Sequence, residues 1–187
     1  LKSNSLLIGI LNPYENKSAF LNLNKNKLSS CCMELIPRIS RAQSMDVLSS
    51  QANLAGYRSV IDAAEQFGKA FPMMMTAAGR VNPAKVMILG VGVAGLQAIA
   101  TAKRLGAVVS ATDVRAATKE QVESLGGKFI MVEDDEAQNA ETEGGYAKEM
   151  SADYKKKQAE LIAETISKQD IVICTALIPG KKAPVLI

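Results

Sequence analysis

Three glycines and one acid carry the clearest chemical signal in this sequence. Gly90, Gly92 and Gly95 form the pattern G-x-G-x-x-G, and Asp113 follows them at close to the roughly 20-residue spacing of Rossmann-type βαβ units. The first glycine permits a tight turn after a strand, the second lets a pyrophosphate approach the backbone, and the third lets a helix pack closely on the sheet. The pattern therefore predicts a dinucleotide-binding loop.

The acid predicts which dinucleotide binds. Asp113 can accept hydrogen bonds from the hydroxyls of the adenosine ribose, and its charge would repel a 2′-phosphate, which favours NAD(H) over NADP(H). Arg115 is a competing signal, because a cation two residues further on could instead accept a 2′-phosphate. We give more weight to Asp113 because it stands at the predicted strand end, where the ribose is recognised. Alternatively, the glycines serve only packing in an α/β domain.

The elements that must position these residues alternate between strands and helices. Short apolar runs predict four strands, and apolar residues at helical spacing predict the helices between them. This alternation is typical of a parallel sheet, so the sequence predicts an α/β fold with a Rossmann-type doubly wound parallel sheet. The predicted strands are Lys85–Leu89, Ala107–Thr112, Lys128–Val132 and Asp170–Thr175, and the predicted helices are Ala94–Leu105, Ala116–Leu125 and Lys155–Ser167.

The segments before the glycine loop predict a second, smaller α/β part. Leu6–Leu11 is a short apolar run typical of a buried strand, and Asn53–Phe71 has helical periodicity that Pro72 should end. We interpret residues 1–48 as part of an N-terminal α/β domain. Residues 49–187 are interpreted as the Rossmann domain without its C-terminal part, so that the sequence is a fragment of a longer protein.

Composition excludes several kinds of function. The net charge is only +3 and the basic residues form no block with interleaved aromatics, so nucleic acid is not an expected partner. The sequence has no histidine and its cysteines lack metal-ligand spacing, so we expect no metal site and no Ser-His-Asp triad. The longest apolar stretch, Val86–Ala102, falls short of the about 20 residues of a membrane-spanning helix, so none is expected.

Several longer segments are specific enough to suggest a family. They resemble the NAD(H)-binding part of the α subunit of proton-translocating NAD(P) transhydrogenases, within the alanine dehydrogenase/transhydrogenase superfamily. The segments RISRAQSMD and GGYAKEM favour the transhydrogenase branch over alanine dehydrogenase. The strongest matches are Glu34–Asp46, Ser49–Val60, Gly90–Arg115, Gly144–Met150 and Thr175–Pro184.

The resemblance implies roles for residues that their spacing alone would not single out. It places one set at the nicotinamide: Arg38, Ile39, Ser40, Gln43, Ser44, Met45, Asp46 and Ser49. It places Val93 in the glycine loop, Asp113, Val114 and Arg115 around the adenosine ribose, Gly145 and Tyr146 in a mobile loop, and Gln158 and Leu177 at the cofactor. Residues directly involved in catalysis would be Arg38, Gln43, Asp46 and Tyr146.

Without the resemblance, three of these assignments would change. Arg38–Asp46 would be interpreted as a solvated connector, the segment around Gly145 as a flexible acidic loop, and Leu177 as ordinary packing at a strand end. The family resemblance is therefore the main basis for their proposed contact with the cofactor, although Leu177 also stands at a strand end, where open α/β sheets bind ligands.

The resemblance also implies a reaction and partners. A hydride would pass directly from NADH, bound to this chain, to NADP⁺ on a partner domain or subunit, and a separate membrane domain would move protons. The chain would be peripheral, on the cytoplasmic side of the inner (plasma) membrane, and would form a homodimer. Direct hydride transfer needs no acid–base side chain, which agrees with the missing histidine. An alanine dehydrogenase-like oxidoreductase and a non-catalytic NAD(H)-sensing module remain alternatives.

Overall fold

The computed structural model describes residues 1–132, 150–177 and 182–187. The chain divides into two compact units, Leu1–Gln51 and Ala52–Ile187. In the part of the chain described, no helix combines the length and apolar character that crossing a bilayer requires.

The first unit is a small β-α-β arrangement. Its two strands are parallel, with Leu6 opposite Ser29, and the helix between them provides the crossover that a parallel pair requires. Two short 3₁₀ helices follow. The elements are β1 Leu6–Gly9, α1 Lys17–Lys25, β2 Ser29–Cys32 and the 3₁₀ helices Met33–Leu35 and Ser40–Met45.

The second unit contains a four-stranded sheet in which every strand is parallel to its neighbours. The strands lie in the order Lys128–Phe129 (β7), Val108–Thr112 (β6), Lys85–Leu89 (β5) and Ile171–Cys174 (β8). The chain therefore adds strands to one side of β5 and then returns to add the last strand on the other side. This reversal confirms the predicted Rossmann-type α/β fold. The elements are β5 Lys85–Leu89, α3 Val93–Arg104, β6 Val108–Thr112, the 3₁₀ helix Ala116–Thr118, α4 Lys119–Ser124, β7 Lys128–Phe129, α5 Ala152–Ile166 and β8 Ile171–Cys174.

The central strand β5 packs against other elements on both faces of the sheet. Successive side chains of β5 point to opposite sides, since a strand has a two-residue period. Val86 and Ile88 join a core with α3 residues, whereas Met87 and Leu89 pack with Ile162 of α5. These four apolar side chains of β5 are completely buried, whereas Lys85 at the start of the strand is exposed. Packing on both faces fixes the strand, and with it the loop that follows its carboxyl end.

The helix predicted over Asn53–Phe71 has different ends in the structure. It is α2, Val47–Gln66, and it stops before Gly68 rather than at Pro72. Gly68 takes a left-handed conformation with φ 68°, which ends a helix at little cost only when the residue is glycine. Sequence periodicity continued to Phe71 because that side chain packs in the core beyond the helix.

A β-hairpin that the sequence did not predict precedes the sheet. Met74–Thr76 (β3) and Gly79–Val81 (β4) pair antiparallel, with Met74 opposite Val81. Gly79 has φ 136°, which only glycine adopts readily, and it closes the turn. The apolar run that contains β3 shows no alternation of apolar and polar residues. All six strand residues of the hairpin are exposed, so neither face imposes such a pattern.

Candidate nucleotide-binding site

The candidate site lies where three parallel strands end side by side. Leu89 of β5 stands opposite Thr112 of β6 on one side and Cys174 of β8 on the other. The first residues beyond these strands, which begin the loops at the carboxyl edge of the sheet, include Gly90 and Asp113. Ligands of open α/β sheets bind at this edge, where the strand order reverses.

The first glycine is required by its backbone conformation and by its neighbours. Gly90 has φ 96°, and an added Cβ would lie 2.8 Å from the amide nitrogen of Ala176. Its own N–H donates to the carbonyl of Thr112 (2.9 Å), which ties the start of the loop to β6. The chain therefore turns sharply out of β5 in a position that a larger residue cannot occupy.

The other two glycines have opposite environments. A Cβ on Gly95 would lie 1.9 Å from the carbonyl oxygen of Gly90, so the first turn of α3 packs directly on the loop backbone. A Cβ on Gly92 would meet nothing within 4 Å, and this residue is exposed. Gly95 therefore serves packing, whereas Gly92 leaves open space at the beginning of α3.

The beginning of α3 provides backbone donors next to that open space. The first intrahelical bond runs from the N–H of Leu96 to the carbonyl of Gly92 (2.9 Å). The N–H groups of Val93, Ala94 and Gly95 precede it, in the turn whose donors an α-helix cannot satisfy internally. With the helix dipole, they form a local environment suited to an anion such as a pyrophosphate.

The carboxylate of Asp113 is held by donors on both sides. Oδ2 accepts from the N–H of Val91 (2.7 Å) and from Nη2 of Arg115 (2.8 Å), and Oδ1 accepts from the N–H of Arg115 (3.0 Å) and its Nε (2.8 Å). Nη2 of Arg115 also donates to the carbonyl of Val91 (3.1 Å). The two side chains thus form a bidentate ion pair against the glycine loop.

This pair is shielded from water and its acid is ionised. The side chain of Asp113 is 8% exposed and that of Arg115 is 12% exposed. Burial alone would raise the pKa of Asp113, but hydrogen bonds and the positive charge from Arg115, together with the N–H of Val91, outweigh it and hold the pKa below its usual value. A charged acceptor is therefore present beside the loop at neutral pH.

Two residues that sequence reasoning missed support the loop. The hydroxyl of Thr175 donates to the carbonyl of Gly90 (2.7 Å), joining the exit of β8 to the glycine loop. Gly56 of α2 lies against the start of α3, since a Cβ there would be 2.0 Å from the carbonyl oxygen of Ala94. A glycine inside a long helical pattern is a signal of close packing, and it could have identified Gly56.

The remaining predicted residues of the second unit are dispersed. Val93 begins α3 and is partly buried, and Val114 packs against Met150 and Tyr154. Gln158 is half-buried on α5, and Leu177 is 66% exposed just beyond β8. The predictions for Gly145 and Tyr146 lie outside the described residues.

In the first unit, Asp46 is a helix cap as well as a predicted site residue. Its Oδ1 accepts from the N–H of Ser49 (2.9 Å) and its Oδ2 from the Ser49 hydroxyl (2.6 Å), which satisfies a free donor at the start of α2. The hydroxyl of Ser49, its N–H and the more distant charge of Arg38 (Nε to Oδ2, 3.9 Å) lower the pKa of Asp46. The capping role of Asp46 is therefore compatible with its predicted role at the cofactor.

The structure brings Arg38, Asp46 and Ser49 together, and the others of this group are open to solvent. Their roles at the nicotinamide remain predictions. Besides Arg38, the exposed members are Ile39, Ser40, Gln43, Ser44 and Met45, most of them in the 3₁₀ helix before α2.

Comparison with known proteins gives the same picture of two parts. Residues 59–187 match the family model described as alanine dehydrogenase/PNT, C-terminal domain. Residues 1–55 match the model described as alanine dehydrogenase/PNT, N-terminal domain.

Individual relatives favour one branch. The chain is 65% identical over 187 residues to an NAD(P) transhydrogenase subunit alpha chain of Rhodospirillum rubrum, covering all of this chain and 49% of that protein. It matches the crystal structure of transhydrogenase from Sinorhizobium meliloti with a TM-score of 0.87 at 59% identity, covering 100% of this chain and 49% of that one. Alanine dehydrogenase of Bacillus subtilis is 27% identical over 155 residues, 80% of this chain and 34% of that protein.

The transhydrogenase matches include all of this chain but only part of each relative. The chain spans about half the length of the transhydrogenase relatives it matches. The C-terminal domain model nevertheless accounts for most of its residues, and the N-terminal model for nearly all the others. The chain belongs to the alanine dehydrogenase/PNT family.

Proposed function

We propose that this chain binds NAD(H) and is the NAD(H)-binding part of a transhydrogenase, in which a hydride passes between NADH and NADP⁺. The observation that carries the proposal is the combination of open space at Gly92, first-turn amides of α3 and the ionised carboxylate of Asp113 at one sheet edge. The 65% identity to a transhydrogenase α subunit supports this reaction over that of alanine dehydrogenase.

The residues present fit the adenosine and pyrophosphate parts of NAD(H). The pyrophosphate would lie above Gly92 and accept hydrogen bonds from the N–H groups of Val93 and Ala94. The ribose hydroxyls would donate to Asp113, whose orientation is already fixed by the N–H of Val91. We place this nucleotide site in the domain of residues 49–187.

The protein contributes position rather than acid–base chemistry. When bound, NADH would supply a hydride, two electrons with one proton, from its C4 to the C4 of NADP⁺, which would leave NAD⁺ and NADPH. No other group leaves, so neither ring needs a proton donor or acceptor. Firm fixation of the adenosine end limits the motion of the nicotinamide end, because the two carbons must approach to roughly 3–3.5 Å with aligned faces. The loop, the helix amides and Asp113 are the groups that would provide this fixation.

The partners follow from the reaction. NADP(H) would bind a partner domain or subunit of the same complex, and a membrane domain would move protons. We place the chain at the cytoplasmic side of the inner membrane, as a homodimer. The naming of the relatives as one portion of an α subunit supports a complex of several subunits.

The test is reconstitution of the full chain with an NADP(H)-binding partner domain. Hydride exchange between NADH and an NADP⁺ analogue is followed by the absorbance of the reduced analogue. We expect exchange that saturates with NADH and that falls at least about tenfold for Asp113→Ala at low NADH, since a charge-assisted hydrogen bond contributes about 1.5–3 kcal/mol.

Two control reactions separate the alternatives. Oxidation of NADH that requires pyruvate and ammonia would instead assign an alanine dehydrogenase activity. Saturable NADH binding without any exchange in the presence of a competent partner domain would assign a sensing module. Either result would refute the proposed transfer reaction.

A further inference from the structure

We propose that Arg115 is a latent binding group for a 2′-phosphate and that its pairing with Asp113 masks it. Selectivity for NAD(H) would then depend on both side chains, and the loss of the acid would turn the site toward NADP(H). This inference rests on the proposed function, because it concerns the ribose end of the same nucleotide site.

The carboxylate of Asp113 is saturated with hydrogen bonds. Each oxygen of Asp113 accepts two hydrogen bonds, one from a backbone N–H and one from the guanidinium of Arg115. An ionised carboxylate offers about four acceptor positions in total. A ribose with two free hydroxyls therefore finds no vacant acceptor on Asp113 and must exchange with existing donors.

The donors around the carboxylate differ in how firmly they are held. The N–H of Val91 and the N–H of Arg115 belong to the backbone on either side of the carboxylate and keep it oriented. The guanidinium is held by a flexible side chain, and it occupies both oxygens at 2.8 Å. The ribose hydroxyls would therefore replace the guanidinium, which stands in the position that the ribose diol requires.

The opposite charges of Asp113 and Arg115 determine how the site meets a 2′-phosphate. While Asp113 is present, the guanidinium lies against a carboxylate of opposite charge, with both side chains almost entirely shielded from solvent. A 2′-phosphate approaching this pair meets a cation whose charge is already neutralised and an acid that repels it. Replacing the acid by its amide removes the repulsion and the negative charge that neutralises the guanidinium, and a guanidinium can bind phosphate with two parallel hydrogen bonds.

The experiment is a four-variant cycle on the full chain: unmodified, Asp113→Asn, Arg115→Met and Asp113→Asn/Arg115→Met. Dissociation constants for NADH and NADPH are measured by isothermal titration calorimetry, and melting temperatures verify folding. We expect Asp113→Asn to bind NADPH roughly 10- to 100-fold more tightly than the unmodified chain, the range of one or more charge-assisted hydrogen bonds. The double variant should lose that gain.

The single Arg115→Met variant makes a second, independent prediction. Without the guanidinium, Asp113 repels a 2′-phosphate without compensation, and the ribose hydroxyls meet no competitor. The ratio of NADPH to NADH dissociation constants should therefore increase relative to the unmodified chain. Arg115→Gln, which removes the charge but keeps hydrogen-bond donors, replaces Arg115→Met throughout the cycle if the latter melts at a much lower temperature.

Control variants come from an exposed pair of the same composition. Arg58 and Asp62 form an i,i+4 ion pair on α2 (Nε to Oδ1, 2.6 Å), and both side chains are at least half exposed. Arg58→Met and Asp62→Asn make the same changes of net charge away from the glycine loop. They should leave the nucleotide selectivity unchanged, so that a general effect of net charge is excluded.

The outcomes distinguish the two proposals. If the unmodified chain does not bind NADH, the proposed function fails. If it binds NADH selectively, but Asp113→Asn and the double variant bind NADPH with equal affinity, the nucleotide site stands and the latent role of Arg115 is overturned. Equal NADPH-to-NADH ratios for Arg115→Met and the unmodified chain would also overturn that role.

Discussion

Alanine substitutions at Gly92 and Gly95 should separate nucleotide binding from folding. The two residues lie in the same loop-helix junction, but a Cβ on Gly95 would lie 1.9 Å from the carbonyl oxygen of Gly90, whereas one on Gly92 would meet nothing within 4 Å. Ordinary contact begins at 3.4 Å, so Gly95→Ala must move α3 away from the loop by roughly 1.5 Å. Gly92→Ala requires no movement of the protein.

The expected magnitudes differ accordingly. Overpacking against a backbone carbonyl should destabilise Gly95→Ala by about 3 kcal/mol, near the upper end of the usual range. For a chain of this size, 1 kcal/mol shifts the melting temperature by about 2–4 °C, so a decrease of roughly 6–12 °C is expected. Gly92 is the N-cap of α3, where alanine is less favourable than glycine by no more than about 1 kcal/mol, so its melting temperature should fall by less than about 4 °C.

Nucleotide binding should show the opposite sensitivity at Gly92. The new methyl group would occupy the space through which a pyrophosphate reaches the N–H groups of Val93 and Ala94. Loss of one charge-assisted hydrogen bond weakens binding by roughly 10- to 100-fold. Scanning calorimetry and NADH titration of both full-length variants are the assays. If Gly92→Ala binds NADH with unchanged affinity, the pyrophosphate does not lie above that residue. If Gly95→Ala has the same melting temperature as the unmodified chain, α3 does not pack closely on the loop.

Three further changes test the groups around the loop. Thr175→Val should destabilise the chain by about 1 kcal/mol through loss of the bond to the Gly90 carbonyl, whereas Thr175→Ser retains it; urea unfolding measures both, and equal stabilities would contradict this role. The pKa of Asp113 is lowered in the folded chain, so its contribution to stability is complete above the pKa of the unfolded chain, near 3.9. This contribution disappears as the pH falls through the pKa of the folded chain. The unfolding free energies of the unmodified chain and Asp113→Asn should therefore converge in acid. Asp46→Ala should cost about 1 kcal/mol by removing the cap of α2, and Ser49→Ala should cost less because its N–H remains; a reversed order in urea titrations would argue against capping.

The glycine loop was predictable because all of its determinants are local. A five-residue apolar strand, three glycines and a helical period lie within one stretch of about 20 residues, and each constrains the next. The position of Asp113 was predictable for the same reason, since it directly follows the next strand of the same βαβ unit. The parallel sheet followed from the alternation of strands and helices, without knowledge of any contact between distant residues.

The residues that the sequence did not identify act across long separations. Thr175 donates a hydrogen bond to Gly90, from which it is 85 residues distant in the sequence. This contact exists only because β8 lies beside β5 in the sheet. Gly56 contacts Ala94 through the packing of two helices, and its position in a helical pattern gave no indication of its partner. Spacing did not predict that Arg115 pairs with Asp113, because this pairing depends on the rotamer of Arg115. From the sequence, either side chain could face a 2′-phosphate.

The order of contacts at the sheet edge indicates how the site stays formed before a nucleotide arrives. A buried carboxylate without partners would be unstable, since burial disfavours its charge. Asp113 avoids this because the backbone of Val91 and the side chain of Arg115 satisfy it together. The backbone donor fixes the direction of the carboxylate. In the proposed exchange, the guanidinium keeps that charge paired until ribose hydroxyls would replace it. A ligand that binds here therefore needs to displace one side chain but does not need to rebuild the loop. This division favours a site that is preorganised for the pyrophosphate and selective at the ribose, since only the ribose end requires exchange.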